Sequence, residues 1–220
     1  MKAFKSLFLL NKEDVLVYLT VLLAPFLLLH LSMFGVMAIT KAETTILIGG
    51  FILVFLLTAV AFLSGYAHAS LSFTQYVTFG CSRIRALGLT LAVAVAQTLC
   101  STALALVLAA LEQNFTLSLF SRLSGRPVYM EVYLPVEWWV YLLAALGGLA
   151  LGVIAAAIIS RFGRTGGVVL YVLFMAACFS PQFLPWEKYT ITDWLFPLLI
   201  ILVVVGLIWS IYSMLHSSIR

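Results

Sequence analysis

Charge is what this chain has least of. Charged residues fill 9% of its 220 positions and hydrophobic residues 64%, with a mean hydropathy of +1.17. A water-soluble domain of this size has no use for so much apolar surface, so lipid is the expected solvent for most of it. The three cysteines, Cys81, Cys100 and Cys178, form no CxxC and no Cys/His metal spacing. That argues against a zinc ribbon or a disulfide framework. No Gly-Lys pair occurs, so the chain has no P-loop for ATP, and HExxH is absent too. The carboxylates read as lying in or beside loops, and the three histidines are scattered. Hydrolytic chemistry needs such groups clustered, so the expectation is a chain with no catalytic residue, no metal and no cofactor of its own.

What is present is a series of long apolar runs. A membrane span needs about 20 apolar residues at a rise of about 1.5 Å per residue. Six stretches qualify: 15–39, 46–65, 87–111, 138–160, 167–184 and 195–215. Backbone groups in hydrocarbon must be satisfied within their own segment, so each is read as a helix. The fold class is therefore an all-α integral membrane protein, one domain over residues 1–220. Residues 1–14 read as an amphipathic helix lying in the headgroup layer, with Phe4, Leu7 and Phe8 on one face and Lys2, Lys5 and Lys12 turned away.

The loops set the orientation. One side carries Lys2, Lys5, Lys12, Arg83, Arg85, Arg161, Arg164 and Arg220, against only Glu13 and Asp14. The other carries Lys41, Arg122, Arg126 and Lys188 against six carboxylates. Basic residues flank spans on the cytosolic side, which places both termini inside. Trp138, Trp139, Trp186 and Trp194 fall at the outer boundary, where amphipathic rings prefer to sit. The net charge of +4 thus reflects membrane topology and not affinity for nucleic acid.

Segment 66–86, between the second and third runs, is the most patterned stretch. Ser72 and Gln75 match a capping box, which predicts a short helix starting at Ser72. Gly80 supplies a left-handed stop. Phe73, Tyr76 and Val77 share one side of that helix, and Arg83 and Arg85 keep it in the cytosol. A capped helix with an aromatic face at the membrane surface suits docking into a groove on a cytosolic partner.

Within the spans, Pro25 predicts a kink in the first. His30 there and Gln97 in the third are polar groups at membrane depth, and both are candidates for lining a path. Small residues recur every four positions in the third span (Gly88, Ala92, Ala96, Cys100) and the fourth (Gly148, Gly152, Ala156, Ser160). Such seams let helices approach closely. Residues 112–137 form the longest outer connection, with a turn or two resting on the membrane through Phe115, Leu119, Phe120 and Leu123. Residues 161–167 make a cytosolic turn whose arginines anchor to the inner leaflet. The outer connection 180–197 holds Pro181, Pro185 and Trp186, a broken segment that would narrow the mouth of a pathway.

Taken together, the chain resembles the permease subunit of a type-two ATP-binding-cassette exporter. The local match is Tyr76-Val77-Thr78-Phe79-Gly80-Cys81-Ser82-Arg83, similar to that family's aromatic short helix followed by Gly, a polar residue and Arg. The resemblance implies a coupling element formed by Ser72, Phe73, Thr74, Gln75, Tyr76, Val77, Phe79, Gly80 and Arg83. It further implies two cytosolic ATPase subunits that carry ATP and Mg, and a second permease subunit, identical or paralogous. The small size is similar to bacterial cytoplasmic-membrane exporters of peptides, toxins or antimicrobials. Two other classes share part of the pattern. The membrane substrate-binding subunit of a vitamin importer also has about six spans, but no compact outer pocket of converging polar groups is evident. An ion-coupled carrier would hold more ionisable residues at mid-membrane, where only His30 qualifies.

Overall fold

The computed structural model describes residues 12–40, 44–133, 136–183 and 191–216. Leucine-, valine- and alanine-rich runs with few breakers become helices: α1 (Lys12–Thr40), α2 (Gly49–Thr78), α3 (Arg83–Ser124), α4 (Trp138–Phe183) and α5 (Ile191–His216). Two short strands, β1 (Thr44–Leu47) and β2 (Tyr129–Tyr133), complete the order. Among the described residues, four helices are long and apolar enough to cross a membrane: Val15–Thr40, Gly49–Thr78, Arg83–Ser124 and Trp138–Met175. The apolar helix Ile200–His216 is shorter. Leu28, Leu31, Phe55, Leu151 and Leu202 all point outward, an apolar exterior that water would not tolerate.

The helices are not uniform. α1 stays helical through Pro25. α2 passes through a π-helical turn at His68–Ser72 before its last stretch, Phe73–Thr78. α4 is broken at Gly163, whose φ of 57° and ψ of −136° lie outside helical space. A Cβ placed on Gly166 would lie 2.8 Å from the Ile158 carbonyl oxygen. Eight residues of straight helix would separate those positions by about 12 Å. The chain therefore doubles back at Gly163, within the 161–167 turn that its sequence implies.

The all-helical expectation needs one correction. β1 and β2 pair in parallel, Thr44 opposite Tyr129 and Leu47 opposite Tyr133, with a register shift between Thr45 and Ile46. An alternating Thr-Thr-Ile-Leu run with β-branched residues favours a strand once a partner is alongside. That partner is 85 positions away and leaves no local trace. The open edges of such a ribbon need water or protein around them, not lipid.

A second correction concerns residues 112–124. They continue α3 without interruption and do not form an outer loop. The buried positions Ala105, Leu108, Ala109, Glu112, Thr116 and Phe120 keep helical spacing straight across the expected boundary.

The chain divides into two compact units, one from residues 1–61 and 93–148, the other from 62–92 and 149–220. The first is centred on Leu22 and Phe26 of α1, Leu53, Leu57 and Val60 of α2, Leu108 of α3 and Tyr141 of α4. A smaller cluster joins Met37, Phe120 and Val128. The second unit packs Ala69, Phe73, Ala86, Leu87, Val153, Ala156 and Met214 together.

The two small-residue seams behave differently. In the first unit a Cβ on Gly148 would collide with the Thr58 carbonyl oxygen. In the second, one on Gly152 would collide with the Phe62 carbonyl oxygen, and Ala156 is buried in the core. The fourth-span seam thus brings backbone against backbone. The third-span seam is not buried: Gly88, Ala92 and Cys100 are exposed and Ala96 only half-buried. α3 instead buries the neighbouring face, with Thr90, Ala94, Gln97 and Ser101.

Candidate functional site

The segment read as a coupling helix is the end of α2. Ser72 is already helical, at φ −66° and ψ −39°, and its side chain caps nothing. No helix begins there, so no first-turn N–H is left to cap; the Ser72 hydroxyl instead bonds His68 Nδ1 at 3.1 Å. The helix ends at Gly80, with φ +84°. Cys81 N–H bonds the Tyr76 carbonyl at 2.9 Å and Gly80 N–H the Val77 carbonyl at 3.0 Å. These two bonds make up a Schellman stop, in which a glycine's left-handed backbone satisfies the last carbonyls.

The aromatic face expected to meet a partner points inward. Phe73 is 5% exposed, and Tyr76 and Val77 pack against the same cluster. Burial of an aromatic against Ala86, Leu87 and Val153 outweighs any free docking role for it. The outward face consists of Leu71, Thr74, Gln75, Thr78 and Phe79, which with Ser70 border an open groove. Phe79 is 86% exposed at the very tip. Arg83 begins α3 and donates from Nη1 to the Leu215 carbonyl at 2.9 Å. A cation there satisfies an orphan acceptor of the last turn of α5 and complements the helix dipole.

The first unit holds a second polar constellation. His30 Nδ1 lies 2.9 Å from the Phe26 carbonyl oxygen. Its Nε2 is buried, without a hydrogen-bond partner, 3.6 Å from Glu112 Oε1. Glu112 is 4% exposed. Its Oε1 accepts the Gly49 N–H at 2.8 Å, at the first residue of α2. A carboxylate at a helix N-terminus meets unsatisfied N–H groups and the positive end of the dipole. The approach is close: a Cβ on Gly49 would sit 2.6 Å from that oxygen, so a larger residue there would push the carboxylate aside. One residue on, the Tyr141 hydroxyl donates to the Gly50 carbonyl at 3.2 Å.

Sequence reasoning missed Glu112 as a buried group because a carboxylate after an apolar run reads as the loop beyond the membrane. The available signal was the unbroken helical stripe from Ala105 to Phe120. The two path candidates are not brought together. His30 stands beside Glu112, and Gln97 lies fifteen residues back along α3, about 22 Å away along the axis. Gln97 is 2% exposed among Thr98, Ser101 and Thr102, which are buried as well. Of the proposed outer gate, Pro181 lies on α4, and Pro185 and Trp186 fall outside the described residues. So do residues 1–11 of the expected interfacial helix. Trp138 and Trp139 open α4 with exposed rings.

Helical folding, four helices of membrane length and an apolar exterior define a chain with the character of a membrane protein. Comparison with models of known protein families, with characterised proteins and with solved structures gives no match.

Proposed function

We propose that this chain is the membrane permease subunit of an ATP-binding-cassette exporter, forming half of a translocation pathway in a bacterial cytoplasmic membrane. Two copies of a cytosolic ATPase would supply ATP and Mg, and a second permease subunit would complete the pathway. Amphipathic peptides, toxins or antimicrobials are the cargo this reading favours. The observation that carries it is the tip of α2. A membrane-length helix ends at Gly80 in a hydrogen-bonded Schellman stop, exposing Leu71, Thr74, Gln75, Thr78 and Phe79 just ahead of Arg83 and Arg85. A short, firmly anchored face of mixed apolar and hydroxyl side chains is what a motor subunit needs in order to push on a helix.

Four helices of membrane length among the described residues are compatible with the reading. On this reading α1, α2, α3, the two halves of α4 on either side of Gly163, and α5 would make six crossings. Pairing of β1 with β2 brings the α1–α2 and α3–α4 connections together, as alternate crossings by α2 and α3 require.

Copurification tests the proposal. A spanless ATPase with a Walker motif from the same source is co-expressed with the chain. Leu71→Glu and Phe79→Ala change only exposed positions, and each is expected to lower ATPase recovery at least tenfold while the permease stays folded. Phe73→Ala should lower thermal stability, since that ring is core. Undiminished ATPase recovery with both surface variants would overturn the docking assignment.

A further inference from the structure

The tautomer of His30 has a consequence for Glu112. A carbonyl oxygen only accepts, so the 2.9 Å contact to Phe26 fixes the hydrogen on Nδ1. Nε2 is then the atom aimed at Glu112 Oε1, 3.6 Å away, with no other hydrogen-bond partner. Without a further proton, a bare nitrogen lone pair would face a buried carboxylate, an arrangement the low local dielectric makes costly. One proton between the two groups removes the conflict.

We propose that His30 and Glu112 bind one proton between them at neutral pH, and that this proton ties α1 to the junction of α2 and α3. α2 contributes the Gly49 N–H and its helix N-terminus, and α4 contributes Tyr141, whose hydroxyl is engaged with Gly50. Tyr18 of α1 packs against the same core. His30 Nε2 and Glu112 Oε1 stand at ion-pair distance. With the α2 dipole favouring negative charge on Glu112, the proton sits on Nε2 as an imidazolium against a carboxylate. Losing it would leave Glu112 bonded to Gly49 but free His30 from α3. The ligand of this site is thus a proton, and the arrangement holds whether or not an ATPase drives the chain.

The test uses the full-length chain in nanodiscs at pH 7.5, with 15N-labelled histidine and infrared spectroscopy of carboxyl groups. His30 is assigned by the loss of its signal in His30→Gln. The expected result is an imidazolium signature at His30 that is absent in Glu112→Gln. In that variant the amide oxygen still accepts from Gly49, while its NH2 donates to a neutral Nε2, so the fold survives with no proton bound. A protonated carboxyl band lost in Glu112→Gln, with His30 neutral, supports the proposal equally, because the pair still holds one proton. Gly49→Ala, which displaces the carboxylate, should abolish either signature. A neutral His30 together with an ionised Glu112 in the wild-type chain overturns the proposal, and that measurement needs no variant to fold.

Discussion

Gly147 and Gly148 are adjacent on α4, yet their surroundings are opposite. A Cβ on Gly147 meets nothing within 4 Å, whereas one on Gly148 runs into the Thr58 carbonyl oxygen and the Ala61 methyl. Backbone cannot yield as a flexible side chain can, so Gly148→Ala should destabilise the chain by about 1–3 kcal/mol. Gly147→Ala should gain about 0.5–1 kcal/mol through helix propensity. Thermal unfolding of the two variants in one detergent checks this; equal midpoints would remove the close-approach argument. That seam was visible in the spacing of Gly148, Gly152 and Ala156, because small residues at every fourth position need only helical periodicity to be seen. The similar stripe at Gly88, Ala92 and Ala96 reads identically and yet faces outward. Spacing says which residues share a face, and nothing about what the face meets. Glu112 shows the converse: its role depends on a histidine 82 positions earlier and a backbone N–H 63 positions earlier.

At the scale of elements, two turns rest on glycines with positive φ, and they should respond differently to substitution. Gly80 sits at φ +84° in a Schellman stop, a conformation that asparagine tolerates best among other residues. Gly163, at φ 57° and ψ −136°, occupies a region open essentially to glycine alone. Gly80→Asn is expected to leave the unfolding midpoint nearly unchanged, and Gly163→Asn to cost about 1–3 kcal/mol. Equal losses in a parallel melt would place the strain elsewhere. Arg83 allows a second check on this scale. Its bond to the Leu215 carbonyl closes the last turn of α5, so Arg83→Gln should raise amide exchange at 212–216 several-fold while leaving α3 protected. The Gly80 stop was legible because a helix end is a local event. The capping box at Ser72 misled for the same reason: Ser72 and Gln75 have the right chemistry, but the preceding helix runs on through both, Ser72 closing a π turn and Gln75 lying in the α-helical stretch after it. Phe73 faced inward because Ala86, Leu87 and Val153 were available to cover it, and no pattern within 66–86 contains them.

At the scale of the whole molecule, the unequal distribution of charge is the strongest constraint that composition supplies. Arg83 and Arg85 follow the α2 stop, and Arg161 and Arg164 flank the Gly163 break. Arg161 lies 5.7 Å from the centroid of the Trp209 ring, which holds one of those charges at a fixed place. Glu131 and Glu137, by contrast, follow the α3 terminus around Gly125. Positive charge retained in the cytosol therefore predicts that the tips at Phe79 and Phe162 share one side of the membrane and Gly125 takes the other. Single cysteines at 79, 125 and 162, in a chain with Cys81, Cys100 and Cys178 replaced by serine, report this directly. In intact cells a membrane-impermeant maleimide should label position 125 and spare 79 and 162, and permeabilisation should expose all three. Phe79 and Phe162 are both exposed, so failure to label them in intact cells would reflect the membrane and not burial in the fold. Labelling of position 79 from outside would place the α2 tip where no ATPase could reach it. The exporter reading would then fall, while the proton held by His30 and Glu112 would remain to be measured on its own terms.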